Sequence, residues 1–312
     1  MTAILNVSQL SVHFPLSTST VRAVDGVDLT VEAGETLAII GESGSGKSVL
    51  GTAILGLLPP TCSLSGTIIY NGVDLLSLSD QELEAIRGIK IAWVPQNPAN
   101  ALNPSMRVGD QIGEPLTRHT DWSREKIHAR VLDLLQKFRV LPVEERYKEY
   151  PHSFSGGMLQ RALVAMGVSA IPEIIIADEP TKGIDVINKG SISAIFKTVR
   201  EQGITLLIIT HDLAFAQDLA DRIVVMYSGR IIEIAKSRNF FGHPFHPYSA
   251  GLLRSLPENG LHPIPGRTQD LGGCDTGCRF RTRCTDVQDR CSEEPPLIRS
   301  ENGTVVRCWK YD

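Results

Sequence analysis

Apolar side chains recur at every second position near the start of the chain, at Leu10, Val12 and Phe14, and again, after Val24, at Val27, Leu29 and Val31. A period of two predicts strands with one buried face, separated here by turns at Asp25–Gly26 and Ala33–Glu35. A further strand pair is predicted around Gly66 to Tyr70, closed by Asn71–Gly72, a dipeptide suited to tight hairpins. Between Ser123 and Val140 the period becomes helical. Ile127, Val131, Leu134, Leu135 and Phe138 share one face, and that stripe reads as core packing. After Ser153 helices and strands alternate. Glu173 to Ala177 and Ile204 to Thr210 read as parallel strands buried on both faces. Ile223 to Tyr227 and Arg230 to Ile234, joined by Ser228–Gly229, read as an edge hairpin. Composition then breaks near Ala235 to Asn239, which divides the chain into residues 1–235 and a loop-rich extension, 236–312. There is no internal repeat.

The apolar run from Thr36 to Ile40 leads directly into GESGSGKS, Gly41 to Ser48, and a helix-compatible run from Val49 to Leu58 follows. This strand–loop–helix setting is what the phosphate-binding loop G-x-x-x-x-G-K-[ST] requires. Glycines let backbone amides close around phosphate oxygens, and the helix N-terminus adds a favourable dipole. Gly41, Ser43, Gly44, Ser45, Gly46 and Val49 are the expected nucleotide contacts. Lys47 would reach the β- and γ-phosphates and Ser48 would ligate Mg²⁺. The competing structural reading is a glycine-rich turn without a ligand.

Two more segments point to the same chemistry. IIIADEP, Ile174 to Pro180, ends a buried strand with two acids. At that edge of an open α/β sheet Asp178 would hold the Mg²⁺ shell and Glu179 would act as general base on the attacking water. SFSGGMLQR, Ser153 to Arg161, opens a helix with Ser155, Gly156 and Gly157, leaving free amides at a positive dipole end. A second anion site suits the γ-phosphate of ATP held by another subunit, and an ordinary N-cap at Ser155 is the plainer alternative.

Composition narrows the setting. The 312 residues carry a formal net charge of -4 with 21% charged residues, so phosphate-dominated nucleic-acid binding is not expected. No apolar run approaches the ~18 residues of a membrane span, and MTAILNVSQL lacks a signal-peptide pattern. A cytosolic chain that meets the membrane through partners is expected. Cys274, Cys278, Cys284, Cys291 and Cys308 crowd into the tail, whereas Cys62 stands alone and reads as a buried or loop thiol. In a reducing compartment this crowding suggests a metal site more than disulfides. Cys274 fits no ligand pattern. The wide intervals between the last four suit zinc only moderately, and four thiolates could also hold an iron–sulfur cluster. Arg279, Arg281, Arg283, Arg290 and Arg307 surround these cysteines and are expected to offset a cluster's charge or lower the thiol pKa values.

GESGSGKS, Gln96 in VPQNP, SGGMLQR, IIIADEP, Asp185 and His211 in IITHD occur in the order that resembles an ABC-type ATPase, over about the first 235 residues. The resemblance implies an α/β P-loop ATPase fold: a RecA-like core, an antiparallel β-subdomain and a helical subdomain at about 97–165. It implies that Gln96 and His211 sense the γ-phosphate, with Gln96 also near Mg²⁺ and the permease, that Asp185 lies where two ATPases meet, and that Phe14 stacks on adenine. The segment Pro15 to Thr20 looks like an insertion beside that aromatic. Met158 replaces the family's usual glutamine, and Lys182 and Gly183 replace small residues before Asp185.

HPYSAGLLRSLP, His246 to Pro257, resembles the C-terminal extension of peptide and nickel importer ATPases. Pro247 would start a helix carrying Leu252, Leu253 and Leu256, with His243 and His246 as turn residues rather than metal ligands. Some members of that family hold a [4Fe–4S] cluster in such a tail, which would place Cys278, Cys284, Cys291 and Cys308 as ligands, with Zn²⁺ or free thiols as alternatives. The implied function is ATP hydrolysis driving import of peptides or nickel-type solutes. The implied partners are two transmembrane permease subunits, a second ATPase in a heterodimer and an extracytoplasmic solute-binding protein. The implied location is the cytoplasmic face of the inner membrane. A soluble ABC ATPase acting on ribosomes or DNA, and a redox- or iron-sensing regulatory ATPase, are the alternatives.

Overall fold

In the computed structural model, residues 2–184, 186–268 and 276–312 are described, with the backbone alone at 186–188. Asp185 and Cys274 lie outside the described residues. The elements run β1 (Ala3–Pro15), β2 (Thr20–Glu32), β3 (Thr36–Ile40), α1 (Lys47–Ile54), β4 (Ser63–Tyr70), β5 (Val73–Asp74), α2 (Asp80–Glu84) and β6 (Ile91–Val94). Five helices follow: α3 (Pro98–Ala101), α4 (Val108–His119), α5 (Arg124–Lys137), α6 (Val143–Lys148) and α7 (Gly156–Val168). Then come β7 (Ile174–Asp178), α8 (Val186–Glu201), β8 (Thr205–Thr210), α9 (Leu213–Leu219), β9 (Arg222–Tyr227) and β10 (Arg230–Lys236). The extension carries α10 (Ser237–Gly242), α11 (Pro247–Arg254), β11 (Ile298–Arg299) and β12 (Val305–Val306).

The chain forms two compact units, one of Met1–Glu32, Leu37–Ser77 and Thr210–Asp312, the other of Ala33–Thr36 and Leu78–Ile209. In the first unit β2, β1, β4 and β5 make an antiparallel sheet. Its alternation is the one the sequence predicts: Leu10, Val12, Val27, Leu29 and Val31 are buried. Asn71 and Gly72 both take positive φ between β4 and β5, as a primed hairpin turn demands. Pro15 pairs with Thr20 across the β1–β2 hairpin, so these two residues extend the strands and only 16–19 form the loop.

Also in the first unit, β9 runs parallel to β3 and antiparallel to β10. The hairpin expected at an edge is therefore interior. Its far side is covered by β12, which pairs through Glu233–Val306 and Ile234–Val305 and carries β11 in turn. Residues 236–312 thus belong to the same unit as the phosphate loop.

In the second unit β6, β7 and β8 are parallel and fully apolar at their centres, and α3 to α7 form the helical part. The stripe on α5 is buried as expected, at Ile127, Val131, Leu134 and Leu135, with Phe138 just past the helix. Ser123 caps this helix by accepting the Lys126 amide.

Candidate functional site

The first unit supplies the phosphate loop. β3 is buried along its whole length and delivers Gly41 at φ 150. A Cβ there would lie 2.2 Å from the Met226 carbonyl, and one on Gly46, at φ 100, would lie 2.0 Å from the Ala23 carbonyl. Only glycine fits two turns pressed this closely against neighbouring strands. Gly46 starts α1, Leu50 donates to its carbonyl, and the Ser45 amide donates to Glu42. Lys47 is buried, and its Nζ donates to the carbonyls of Gly41 and Glu42, both at 2.8 Å. The loop thus closes on its own lysine, with the Ser48 side chain exposed on the first turn of α1.

The C-terminal extension holds this loop from behind. His246 is buried and caps α11 by accepting the Tyr248 amide at Nδ1, 3.0 Å away, while Pro247 occupies the first turn. The Phe245 and His246 amides donate to the carboxylate of buried Glu233. Burial raises the Glu233 pKa, and those amides offset part of the rise. Burial drives the His246 pKa down to about 3. Tyr248 then presents its hydroxyl to the Glu42 amide, 2.9 Å away. The Glu42 carboxylate accepts both guanidinium nitrogens of buried Arg283, at 2.9 and 3.0 Å, and the Thr268 hydroxyl. Burial opposes its charge, yet these hydrogen bonds still carry the Glu42 pKa below the ordinary value. Sequence reasoning misses Glu233, Glu42 and Arg283. Glu233 inside an apolar strand and Glu42 inside the glycine-rich loop carry a faint hint in their placement, and Arg283 carries none.

His211 is exposed just past β8, in a turn fixed by Asp212. The Asp212 amide donates to the Thr210 hydroxyl, and its carboxylate accepts the Phe215 amide as the N-cap of α9. Phe14 is half-buried in β1, opposite Val21.

The second unit supplies the acids. Asp178 ends β7 in register with Ile209 and is only 4% exposed. Glu179 follows at φ 47 and is 7% exposed. Its amide donates to Ile209 at 2.7 Å and its carbonyl accepts the Lys182 amide at 3.0 Å. A non-glycine residue in the left-handed region costs on the order of 1–2 kcal/mol, a strain that fixes how the carboxylate leaves the strand. Ser155 caps α7, accepting the Met158 amide, and Ser155 and Gly156 are exposed. The plain N-cap role and the open helix terminus therefore coexist. Gln96, Asn97, Gly156, Gln160, Lys182 and Gly183 line one cleft of about 330 Å³, which brings together three segments singled out from sequence.

In the tail, Cys291 is buried and Cys278, Cys284 and Cys308 are half-buried thiols. The Cys278 amide donates to the Cys291 carbonyl at 3.0 Å. Sulfur atoms accept backbone amides: Asp286 on Cys284 and Gln288 on Cys291. Burial raises the Cys278 pKa to about 11 and also raises those of Cys284 and Cys308. The expectation that arginines lower the thiol pKa values is thus corrected. Carboxylates and carbonyls engage the guanidinium groups instead: Arg279 on Asp25 and the Ser228 carbonyl, Arg283 on Glu42, Arg290 on Asp312, and Arg307 on Glu294. Among the described residues no group of three or more His, Cys, Asp or Glu side chains is arranged to hold a metal ion. No helix among them is long and apolar enough to cross a membrane.

The profile of the ABC transporter family matches residues 24–182, and that of the oligopeptide/dipeptide transporter C-terminal region matches 232–291. The dipeptide transport ATP-binding protein DppD of Bacillus subtilis is 43% identical, covering 100% of this chain and 96% of its own length. The oligopeptide transport ATP-binding protein OppD of Escherichia coli is 38% identical, covering 99% and 93%. The ATP-binding cassette MJ0796, solved as a post-hydrolysis dimer with ADP and Pi, superimposes with a TM-score of 0.68 at 29% identity, covering 75% of this chain and 99% of that one. A glycine-tight phosphate loop, a strained glutamate after an aspartate-ended strand and full-length likeness to transport ATPases agree: the chain belongs to the ABC transporter family, as an ATP-hydrolysing transport subunit.

Proposed function

We infer that this chain hydrolyses ATP to power import of peptides through a membrane permease. The observation that carries this reading is one compact unit holding both the closed phosphate loop and the peptide-transporter extension that grips it through Tyr248 and Arg283. The relatives' names favour dipeptides and oligopeptides over nickel as the solute.

The residue roles follow from chemistry. Lys47 leaves the carbonyls of Gly41 and Glu42 to bind the β- and γ-phosphates. Ser48 of the first unit and Gln96 and Asp178 of the second are the residues that would hold Mg²⁺, which when bound would neutralise charge developing between the phosphates. Glu179 takes the proton of the attacking water, and His211 contacts the γ-phosphate. Ser155, Gly156 and Gly157 offer open amides to the γ-phosphate bound by a second, different ATPase subunit, with Asp185 at that junction. Phe14 stacks on adenine. Two permease subunits and an extracytoplasmic binding protein complete the system, which places the chain at the cytoplasmic face of the inner membrane.

Cys278, Cys284, Cys291 and Cys308 are proposed ligands of a [4Fe–4S] cluster. Their support is chemical: four thiols of one unit, with backbone amides donating to the sulfurs of Cys284 and Cys291, as thiolate ligands require. Such a cluster would cross-link the tail. Purification from native membranes without oxygen tests both parts. Two permeases, a second ATPase and about four irons per chain are expected. Ribosomal or DNA-repair proteins in place of permeases would overturn the transport reading, and iron-free protein would overturn the cluster.

A further inference from the structure

Glu42 presents a problem for a loop that binds polyphosphate. It is the second residue of the loop, its carbonyl accepts Lys47, and its carboxylate lies within electrostatic reach of that same lysine. Left alone, this carboxylate would compete with phosphate oxygens for Lys47 and repel them. It is not left alone. Arg283 donates to both of its oxygens, at 2.9 and 3.0 Å, from a side chain that is 5% exposed. The Arg283 Nε donates to the Pro265 carbonyl at 2.9 Å, which fixes the plane of the guanidinium. Thr268 donates to one carboxylate oxygen and the Tyr248 hydroxyl accepts the Glu42 amide. A second arm acts at the far end of the loop. Arg279 donates to the Ser228 carbonyl, and the next residue, Gly229, donates its amide to the Ser45 carbonyl at 3.0 Å.

We propose that Arg283 is a positioning residue for ATP: it neutralises Glu42 and holds its carboxylate away from Lys47, so that the extension, 241 residues away in sequence, sets the affinity of the phosphate loop. Planarity matters, since a bidentate fork fixes the carboxylate where a lysine would only attract it. The proposal rests on the ATP reading of the loop.

The test is a double-mutant cycle on the full chain, read by equilibrium binding of a fluorescent ATP analogue with Mg²⁺ and by steady-state hydrolysis. Arg283→Ala is expected to weaken binding about tenfold, equivalent to about 1.4 kcal/mol, raising KM for ATP with kcat changed less than about threefold. Arg283→Lys should fall between, at about threefold. Adding Glu42→Gln to Arg283→Ala should restore most of the lost affinity, because the harm comes from the unpaired carboxylate. A purely structural Arg283 predicts the opposite, a double variant as weak as the single or weaker. That result, or an Arg283→Ala protein within twofold of wild type, overturns the proposal. Wild-type chain that binds no ATP, or Lys47→Ala chain that binds it normally, would instead sink the ATP reading itself.

Discussion

His246 gives the fold a pH dependence whose size follows from its surroundings. Nδ1 accepts the Tyr248 amide at the start of α11, so the cap exists only while that nitrogen is unprotonated. The ring is 1% exposed and packs near Phe280, beside a small cavity also lined by Arg230, Cys278, Arg279, Glu294 and Arg307. Its pKa falls from 6.5 to about 3 through burial. A depressed folded pKa means the unfolded chain binds the proton more readily, so stability is intact above the unfolded pKa and declines as pH falls below it. At pH 5 the unfolded chain gains about 2 kcal/mol from protonating this residue, and at pH 7.5 less than about 0.1 kcal/mol. Any folded pKa below about 4 gives nearly the same result. Two kcal/mol corresponds to roughly 4–8 °C in Tm for a unit of this size. Glu233 works in the other direction, because burial raises its pKa and its contribution fades as pH rises. Comparison with His246→Asn cancels that effect, since asparagine keeps a capping oxygen but does not titrate. Thermal unfolding of both proteins at pH 7.5 and 5.0, at constant ionic strength, gives the test. Acidification should lower the wild-type Tm by roughly 4 °C or more in excess of the drop seen for His246→Asn. Equal drops within about 1 °C would refute the capping account.

Other expectations concern the site. Glu179→Gln should bind ATP but hydrolyse it ~10²–10⁴-fold more slowly, as loss of a general base implies, and near-normal turnover would remove Glu179 from that role. Gly46→Ala should lose ATP binding, because its Cβ would meet the Ala23 carbonyl at 2.0 Å. Gly72→Ala, also at positive φ but in open space, should cost only about 1 kcal/mol of stability and leave turnover intact. Tyr248→Phe removes the acceptor of the Glu42 amide and should destabilise the chain by about 1–3 kcal/mol in denaturant titration.

The sequence is most legible where a local pattern decides the outcome. The α5 stripe, the Asn71–Gly72 turn, the buried runs of β7 and β8 and the phosphate loop all lie within a dozen residues of their own signals. What escapes is long-range. Nothing in Ile223 to Ile234 reveals that Val305 and Val306 will cover the hairpin, because pairing across some 70 residues leaves no local period. The buried carboxylate of Glu233 looks like one more polar position in an alternating strand. Arg283 among five tail arginines carries no mark of its Glu42 partner. Proximity in sequence assigns those arginines to the cysteines, whereas oxygen acceptors elsewhere in the unit hold them.

Peptide uptake bears most directly on the central claim. Cells lacking other peptide importers, with this chain as wild type or as Glu179→Gln, would be given labelled di- and oligopeptides. Uptake should fall to background with Glu179→Gln while the protein stays in the membrane fraction with its permeases. Wild-type uptake with Glu179→Gln, or no uptake dependent on the chain at all, would contradict the account.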